Sequence, residues 1–474
     1  MRVISRRLLA TGLMSLLPAL CLPRLQAQTA PPAPVGVAFW LTNPDGSALF
    51  KRQVPDLSFT SAVDRAPTIV VDEGQVYQTM DGFGCALTGG SAMLIHRMNP
   101  DKRANLLREL FSTGGDSIGI SYLRISIGAS DLSDHVFSYD DLPAGQTDTG
   151  MEHFSLDPEQ KDLIPLLQQI LAINPETKIL GSPWSPPAWM KTNGKSKGGS
   201  LKPEFYGAYA KYFVEYIQGM KAEGIRLDAI TIQNEPLNPG NNPSLLMSAA
   251  EQGAFIKSSL GPAFRAAGID TRIILYDHNA DRPDYPISIL NDPEARQYVD
   301  GTAFHLYGGK IEALSAVHDA HPDKNLYFTE QWVGAPGNLS RDLSWHVRML
   351  IIGATRNWSR NVLEWNLAAD PNQNPHTEGG CTSCLGALTI GDQITRNPAY
   401  YIMAHASKFV RPGSVRIASN MPERLPNVAF KAPGAGKVLI VLNDSPETQV
   451  FTIHWAGRVL TTHLNKGAVG TYVW

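Results

Sequence analysis

Four cysteines, no glycine-rich phosphate loop, no apolar run long enough to cross a bilayer and no excess of either charge mark this 474-residue sequence by what it lacks. No G-x-G-x-x-G or Walker-type loop follows a strand-like run, which argues against nucleotide chemistry. A net charge of −3 with 18% charged residues offers no basic surface for nucleic acid or an anionic membrane. The longest N-terminal apolar run, Leu8–Leu20, is too short to span a bilayer. Preceded by Arg2, Arg6 and Arg7 and followed by small residues around Ala27, it has the form of a signal peptide over residues 1–27. Ser5-Arg6-Arg7 hints at the twin-arginine variant of that signal. Its removal takes away Arg2, Arg6, Arg7 and Arg24 and no acid, so −3 becomes −7 and the product is exported, to the periplasm or the medium. Cys85, Cys381 and Cys384 then remain. Cys381-Thr-Ser-Cys384 lacks the second pair or histidine set of a zinc site, so a local disulfide in an oxidising compartment is expected. Cys85 reads as a buried core residue.

What is present is enough apolar residue, 43%, for one large domain and a small one. Eight strand-like runs, Phe83–Leu87, Ile118–Ser126, Lys178–Ser182, Ala229–Asn234, Arg272–Tyr276, Gly301–His305, Leu326–Glu330 and Val362–Asn366, alternate with helical stretches. The helices are clearest at Pro203–Ala222, Ala249–Ala267, Leu343–Thr355 and Asp162–Ile173. This order predicts an α/β fold, a (β/α)8 TIM barrel over residues 79–395. Residues 31–78 and 396–474 read instead as short strands broken by Gly, Pro, Asn and Asp. They are expected to form one β-sandwich, the N-terminal strands joining the C-terminal ones; two separate caps are the alternative.

Two strands end in the same way. Leu227-Asp-Ala-Ile-Thr-Ile232 breaks into Gln233-Asn234-Glu235 and stops at Pro236, and Asn325-Leu-Tyr-Phe-Thr ends in Glu330-Gln-Trp332. Strand ends of a barrel converge on one rim, so Glu235 on strand four and Glu330 on strand seven can face each other. Two facing carboxylates with no metal and no nucleotide fit glycoside hydrolysis. Trp184, Trp189, Tyr307, Trp332 and Trp365 fall at the same strand ends and offer flat faces to sugar rings. A barrel mouth also packs aromatics structurally. An ordinary Pro turn accounts for Glu235 as well, a buried ion pair for Arg124, a loop cap for Asp131 and a core histidine for His305.

Eight motifs in order then carry a resemblance. They are Gln78-Thr-Met-Asp-Gly-Phe-Gly84, Tyr122-Leu-Arg-Ile-Ser126, Ser182-Pro-Trp-Ser-Pro-Pro-Ala-Trp189, Gln233-Asn-Glu-Pro236, Phe304-His-Leu-Tyr307, Tyr327-Phe-Thr-Glu330, Glu364-Trp-Asn366 and Ser407-Lys-Phe-Val-Arg-Pro-Gly413. The chain resembles the glucosylceramidase-type glycoside hydrolases, family 30, whose fold is a (β/α)8 barrel with an attached β-sandwich. The resemblance implies a retaining β-glycosidase with Glu235 as acid/base and Glu330 as nucleophile. It implies Asn234 on the sugar 2-hydroxyl, and Arg124, Asp131, Trp184, His305, Tyr307 and Trp365 around the glycone, with no cofactor and no metal. Arg124 is then expected to lower the Glu330 pKa, and the Glu330 charge with burial to raise that of Glu235.

For substrate, a β-glucoside or glucosylceramide stands first and an endo-β-1,6-glucan second. The segment Asp370–Cys384 holds no arginine to grip an acidic xylan branch, which ranks xylan low. The Gly379–Gly386 pattern looks like the β-1,6-glucan branch, and no long apolar loop offers a docking surface for ceramide. A non-catalytic carbohydrate-binding barrel is the reading of a different class; loss of a carboxylate would mark it, and both are present. Linkage, endo or exo action and oligomeric state stay open at this level.

Overall fold

The computed structural model describes residues 35–60 and 66–474, so the leader expected at 1–27 lies outside the described residues. Eight parallel strands close into a barrel: Gly82–Ala86, Tyr122–Ile127, Lys178–Pro183, Ala229–Thr231, Arg272–Ala280, Val299–Gly309, Asn325–Glu330 and Ser359–Asn366. They are called strands one to eight below. The β-branched and aromatic runs form strands because both their faces are buried. Inside, Tyr122, Leu180, Ala229, Ile274, Ala303, Tyr327 and Leu363 pack as one layer, a side chain from each strand but the first. Strand one supplies Gly84, which is paired with both Tyr122 and Leu363. A Cβ there would stand 2.0 Å from the Tyr122 carbonyl oxygen, so the close approach requires glycine.

Strand two begins later than its apolar run. The Ile118 and Ile120 amides donate to the carbonyls of Glu109 and Leu110, closing the end of helix Pro100–Phe111 instead of joining the ladder. At the opposite rim from the carboxylates, Asp81 holds Lys178, Arg272 and Arg360, at 3.3, 3.3 and 3.0 Å. The expected helices form, with Pro165 in the first turn of Leu163–Ile173 and a π-helical segment, Ile256–Leu260, within Ala249–Ala267.

The two ends of the chain build one nine-stranded sheet. Gly36–Thr42 pairs with Val469–Val473, and Thr68–Thr79 lies between Val415–Ser419 and Gln449–Trp455. The sheet folds back over a core containing Val37, Ile69, Ile417, Leu439, Phe451 and Tyr472. Phe451 and Tyr472, from strands far apart in the sheet order, meet at 6.2 Å. The single sandwich is therefore formed, not two caps. Helix Pro398–Ser407 joins it to the barrel. Its buried His405 bonds Thr471 Oγ1 and Thr42 Oγ1, each at 2.8 Å.

Candidate active site

The hydrogen-bonded part of strand four stops at Thr231, earlier than the expected Asn234. Beyond it the chain is held by both neighbours: the Asn234 amide donates to the Pro183 carbonyl at 2.8 Å and the Glu235 amide to the Asp277 carbonyl at 3.0 Å. Glu235 takes a left-handed φ of 47° in this grip, an uncommon conformation for a residue with a Cβ. Its carboxylate is thereby fixed at the rim, buried to 7% exposure. Glu330 closes strand seven, opposite His305 in the ladder and 5% exposed. A carboxylate oxygen of each glutamate and a ring nitrogen of His305 all lie within 4.8 Å of one another.

Arg124, at the middle of strand two and fully buried, organises this cluster. It donates to Glu330 Oε2 at 2.5 Å, Asn234 Oδ1 at 2.7 Å, Asp277 Oδ2 at 2.8 Å and Ser182 Oγ at 3.1 Å. The guanidinium also lies over Trp184 and Trp365, 4.9 and 5.8 Å from their ring centroids. Because Asn234 Oδ1 accepts from Arg124, the side-chain NH2 group of Asn234 is left for a ligand. The Tyr307 hydroxyl donates to Glu330 Oε1 at 3.0 Å. Trp184 and Trp365 stack at 5.4 Å, and Trp184 Nε1 is buried without a partner among the described residues.

A cavity of about 550 Å³ opens over the pair, lined by Asp131, Trp184, Asn234, Glu235, Tyr307, Glu330, Trp332 and Trp365, among others. Of the residues expected here, Arg124 and His305 stand behind this wall, fully buried, and act on the carboxylates. Trp332 faces the cavity, whereas Trp189 packs on Phe205 and donates to the Asp140 carbonyl. The Cys381–Cys384 disulfide is formed and lines the same cavity. Among the described residues no arginine or lysine lines it. Larger hollows of about 680 and 900 Å³ run along helix Pro100–Phe111, where Glu109 and Arg396 are already paired. Asp140, Asp148 and His153 form a second group of donors, in the loop after strand two. At the cavity the donors of Glu235, His305 and Glu330 are committed to one another and to Arg124, Tyr307 and Asn238.

The charges order themselves differently from the sequence expectation. Burial alone would strip His305 of its proton. The Glu330 charge and the bonds to Asp277 and Glu235 outweigh it, raising His305 to about 9. Burial also pushes Glu235 up, but the His305 bond and charge, helped by the Asn238 amide 2.7 Å from Oε2, bring it to about 2. Glu330 is shifted upward, by burial and by the Glu235 and Asp277 charges, against the pull of His305 and Arg124. Asp131, buried and facing both glutamates, rises to about 7. The expected order, Glu235 up and Glu330 down, is thus reversed in the ligand-free site. The reason is a second cation, His305, seated nearest Glu235.

Sequence reasoning missed Asp277, which is fully buried and accepts from Arg124, His305, Thr231 and Thr329. It also missed Asn238, Asn241, His278 and Asn279 on the cavity wall. The available signal was the polar Asp277-His-Asn279 that follows the apolar run of strand five, the same pattern as Gln233-Asn-Glu235.

Known proteins share this fold. Residues 80–410 match the glycosyl hydrolase family 30 TIM-barrel domain, and residues 413–472 the glycosyl hydrolase family 30 beta sandwich domain. The chain belongs to glycosyl hydrolase family 30. An endo-1,6-beta-D-glucanase of Neurospora crassa is 37% identical over 419 residues, 84% of this chain and 85% of that one. The lysosomal acid glucosylceramidase of Mus musculus is 31% identical over 428 residues, 84% of this chain and 81% of its own length. A solved endo-beta1,6-glucanase structure superposes with a TM-score of 0.86 at 37% identity, covering 93% of this chain and 99% of that chain. This family 30 member is a glycoside hydrolase acting on β-glycosides. No described helix is long and apolar enough to cross a membrane.

Proposed function

We propose that this family 30 enzyme is an endo-β-1,6-glucanase that works by retaining double displacement. The observation that carries the linkage is its likeness to endo-1,6-glucanases, at 37% identity across most of both chains. The glucosylceramide reading, placed first by the sequence, has the weaker support of 31% identity. A cavity free of arginine and lysine supports a neutral glucan over an acidic xylan. The leader expected from the sequence at 1–27 supports export, the enzyme meeting its polymer outside the cytoplasm.

Retention is supported by the spacing. Carboxylates about 5–5.5 Å apart leave no room for a water between sugar and base, whereas inversion needs about 6.5–9.5 Å. Glu330 attacks the anomeric carbon as the bond to the leaving oxygen breaks, and that oxygen takes the proton of Glu235. In the second step Glu235 takes a proton from water, whose oxygen displaces Glu330 from the sugar. Arg124 and Tyr307 hold the two Glu330 oxygens and keep one lobe aimed at the ring. The first step needs its proton on Glu235, where the ligand-free charge balance does not put it. His305 Nδ1, 3.2 Å from Glu235 and 3.8 Å from Glu330, is placed to deliver it as the leaving oxygen draws on Glu235.

The test is hydrolysis of pustulan, a β-1,6-glucan, beside an aryl β-glucoside, with chromatography of the products and NMR of the first anomer. Short β-1,6 oligosaccharides released first as β-anomers are expected. Glucose from the aryl glucoside with an untouched polymer would overturn the endo-glucanase reading, and a first α-anomer the retaining one.

A further inference from the structure

We propose that the cleft continues past Glu235 into a binding site for a second neutral sugar, built by His278, Asn241 and Asn279. The proposal rests on the assignment of Glu235 as acid. A leaving group must depart on the side of the carboxylate that protonates it, so whatever borders Glu235 away from Asp131, Trp184 and Trp365 recognises the leaving unit. That border comes from the loop after strand four and the end of strand five, and it is made of Leu237, three asparagines and a histidine.

Their bonding sorts them. The backbone amide of Asn238 donates to the Glu235 carbonyl, its Oδ1 accepts from the Gly240 amide, and its Nδ2 is spent on Glu235 Oε2. Asn238 is a positioning residue for the acid. Asn279 Oδ1 accepts from the Tyr307 backbone N–H at 2.9 Å, which leaves its NH2 group for a ligand. His278 is only 7% exposed, lines the cavity, and has an Nδ1 without a partner among the described residues. Burial depresses its pKa, so the ring is neutral and offers one donor and one acceptor. A buried polar atom left unpaired is costly, and a sugar hydroxyl supplies what it lacks. Alternating donors and acceptors without a cation suit a hexose unit. An alkyl chain would bury the same amides unpaired, and a uronic acid would find no counter-charge.

The test compares His278→Phe, which keeps the ring contacts with Tyr276 and His305, and Asn241→Ala, on the rim. Each is assayed on gentiotriose and on 4-nitrophenyl β-glucoside, with thermal melting to show that it is folded. The expected result is a loss of kcat/KM on gentiotriose about tenfold greater than on the aryl glucoside, which needs no hydroxyl recognition to leave. Glucosyl transfer from the aryl glucoside to gentiobiose should fall in the same variants. Equal losses on both substrates, with transfer unchanged, would overturn the site. If the wild-type enzyme ignores β-1,6 linkages but transfers to cellobiose or laminaribiose with the same dependence on His278, the linkage assignment falls and the sugar site stands.

Discussion

At the scale of single residues the site is a balance of two cations against four carboxylates: Arg124 and His305 against Glu235, Glu330, Asp277 and Asp131. Glu330→Gln should lower turnover by roughly a thousandfold or more without loss of fold, since the nucleophile and its ester are gone. Near wild-type rates would refute the assignment. Glu235→Ala should lose most on substrates with poor leaving groups and recover in part with azide, which replaces water in the second step. Uniform loss without rescue would count against the acid/base role. His305 faces Glu330 as a cation and lowers its pKa. His305→Asn removes that charge, so Glu330 gains its proton at higher pH and the acid limb of the kcat/KM profile on an aryl glucoside should move up. An unmoved limb would mean a neutral imidazole. Glu235 and Glu330 were legible because each breaks an apolar run with a carboxylate. The reversed order of their pKa values was not, because it depends on His305 lying between them, which sequence spacing does not encode. Asp277 was hidden for the same reason: its four partners come from strands two, four, six and seven.

At the scale of elements, all eight barrel strands were legible from β-branched and aromatic runs, as were the ends of strands seven and eight at Glu330 and Asn366, whereas the ends of strands four and five were not. Strand five runs on to Ala280 where its apolar pattern stops at Tyr276. There Tyr276 and Asp277 have φ of 70° and 61°, so the chain twists locally, turning Asp277 into the barrel while the ladder continues. No residue-type signal marks that twist, because neither position is glycine. Gly84 is the opposite case, a glycine whose need appears only once the barrel closes around it. Gly84→Ala should destabilise the protein by roughly 2 kcal/mol, the scale of an overpacked core. Denaturant unfolding would read it. An unchanged midpoint would mean that strand one shifts freely away from the Tyr122 carbonyl.

At the scale of the whole molecule, the barrel and the sandwich meet at a titratable hinge-pin. Burial lowers His405 to about 3, so it stays neutral in the fold while an unfolded chain protonates near 6.5. The unfolded state then binds the extra proton, and His405's contribution is lost as pH falls from about 6.5 toward 3. His405→Gln, which does not titrate, should flatten the fall of the thermal midpoint across that window; an unaltered slope would place the acid sensitivity elsewhere. The sandwich itself was legible as two sets of short strands at the ends of the chain. Its joining was an inference from symmetry of pattern, and pairing of Gly36–Thr42 with Val469–Val473 is what makes it one.

That pairing has a temporal side. A ribosome delivers Gly36–Thr42 well before Val469–Val473, with the whole barrel between them, and domains fold as units as they emerge. One edge of the early strand, the one not paired with Lys51–Ser58, therefore has no partner while the barrel is being made. The sheet is joined up only when Val469–Val473 is delivered to lie between Gly36–Thr42 and Lys437–Leu442, so a late strand stitches the early hairpin to the rest of the sheet.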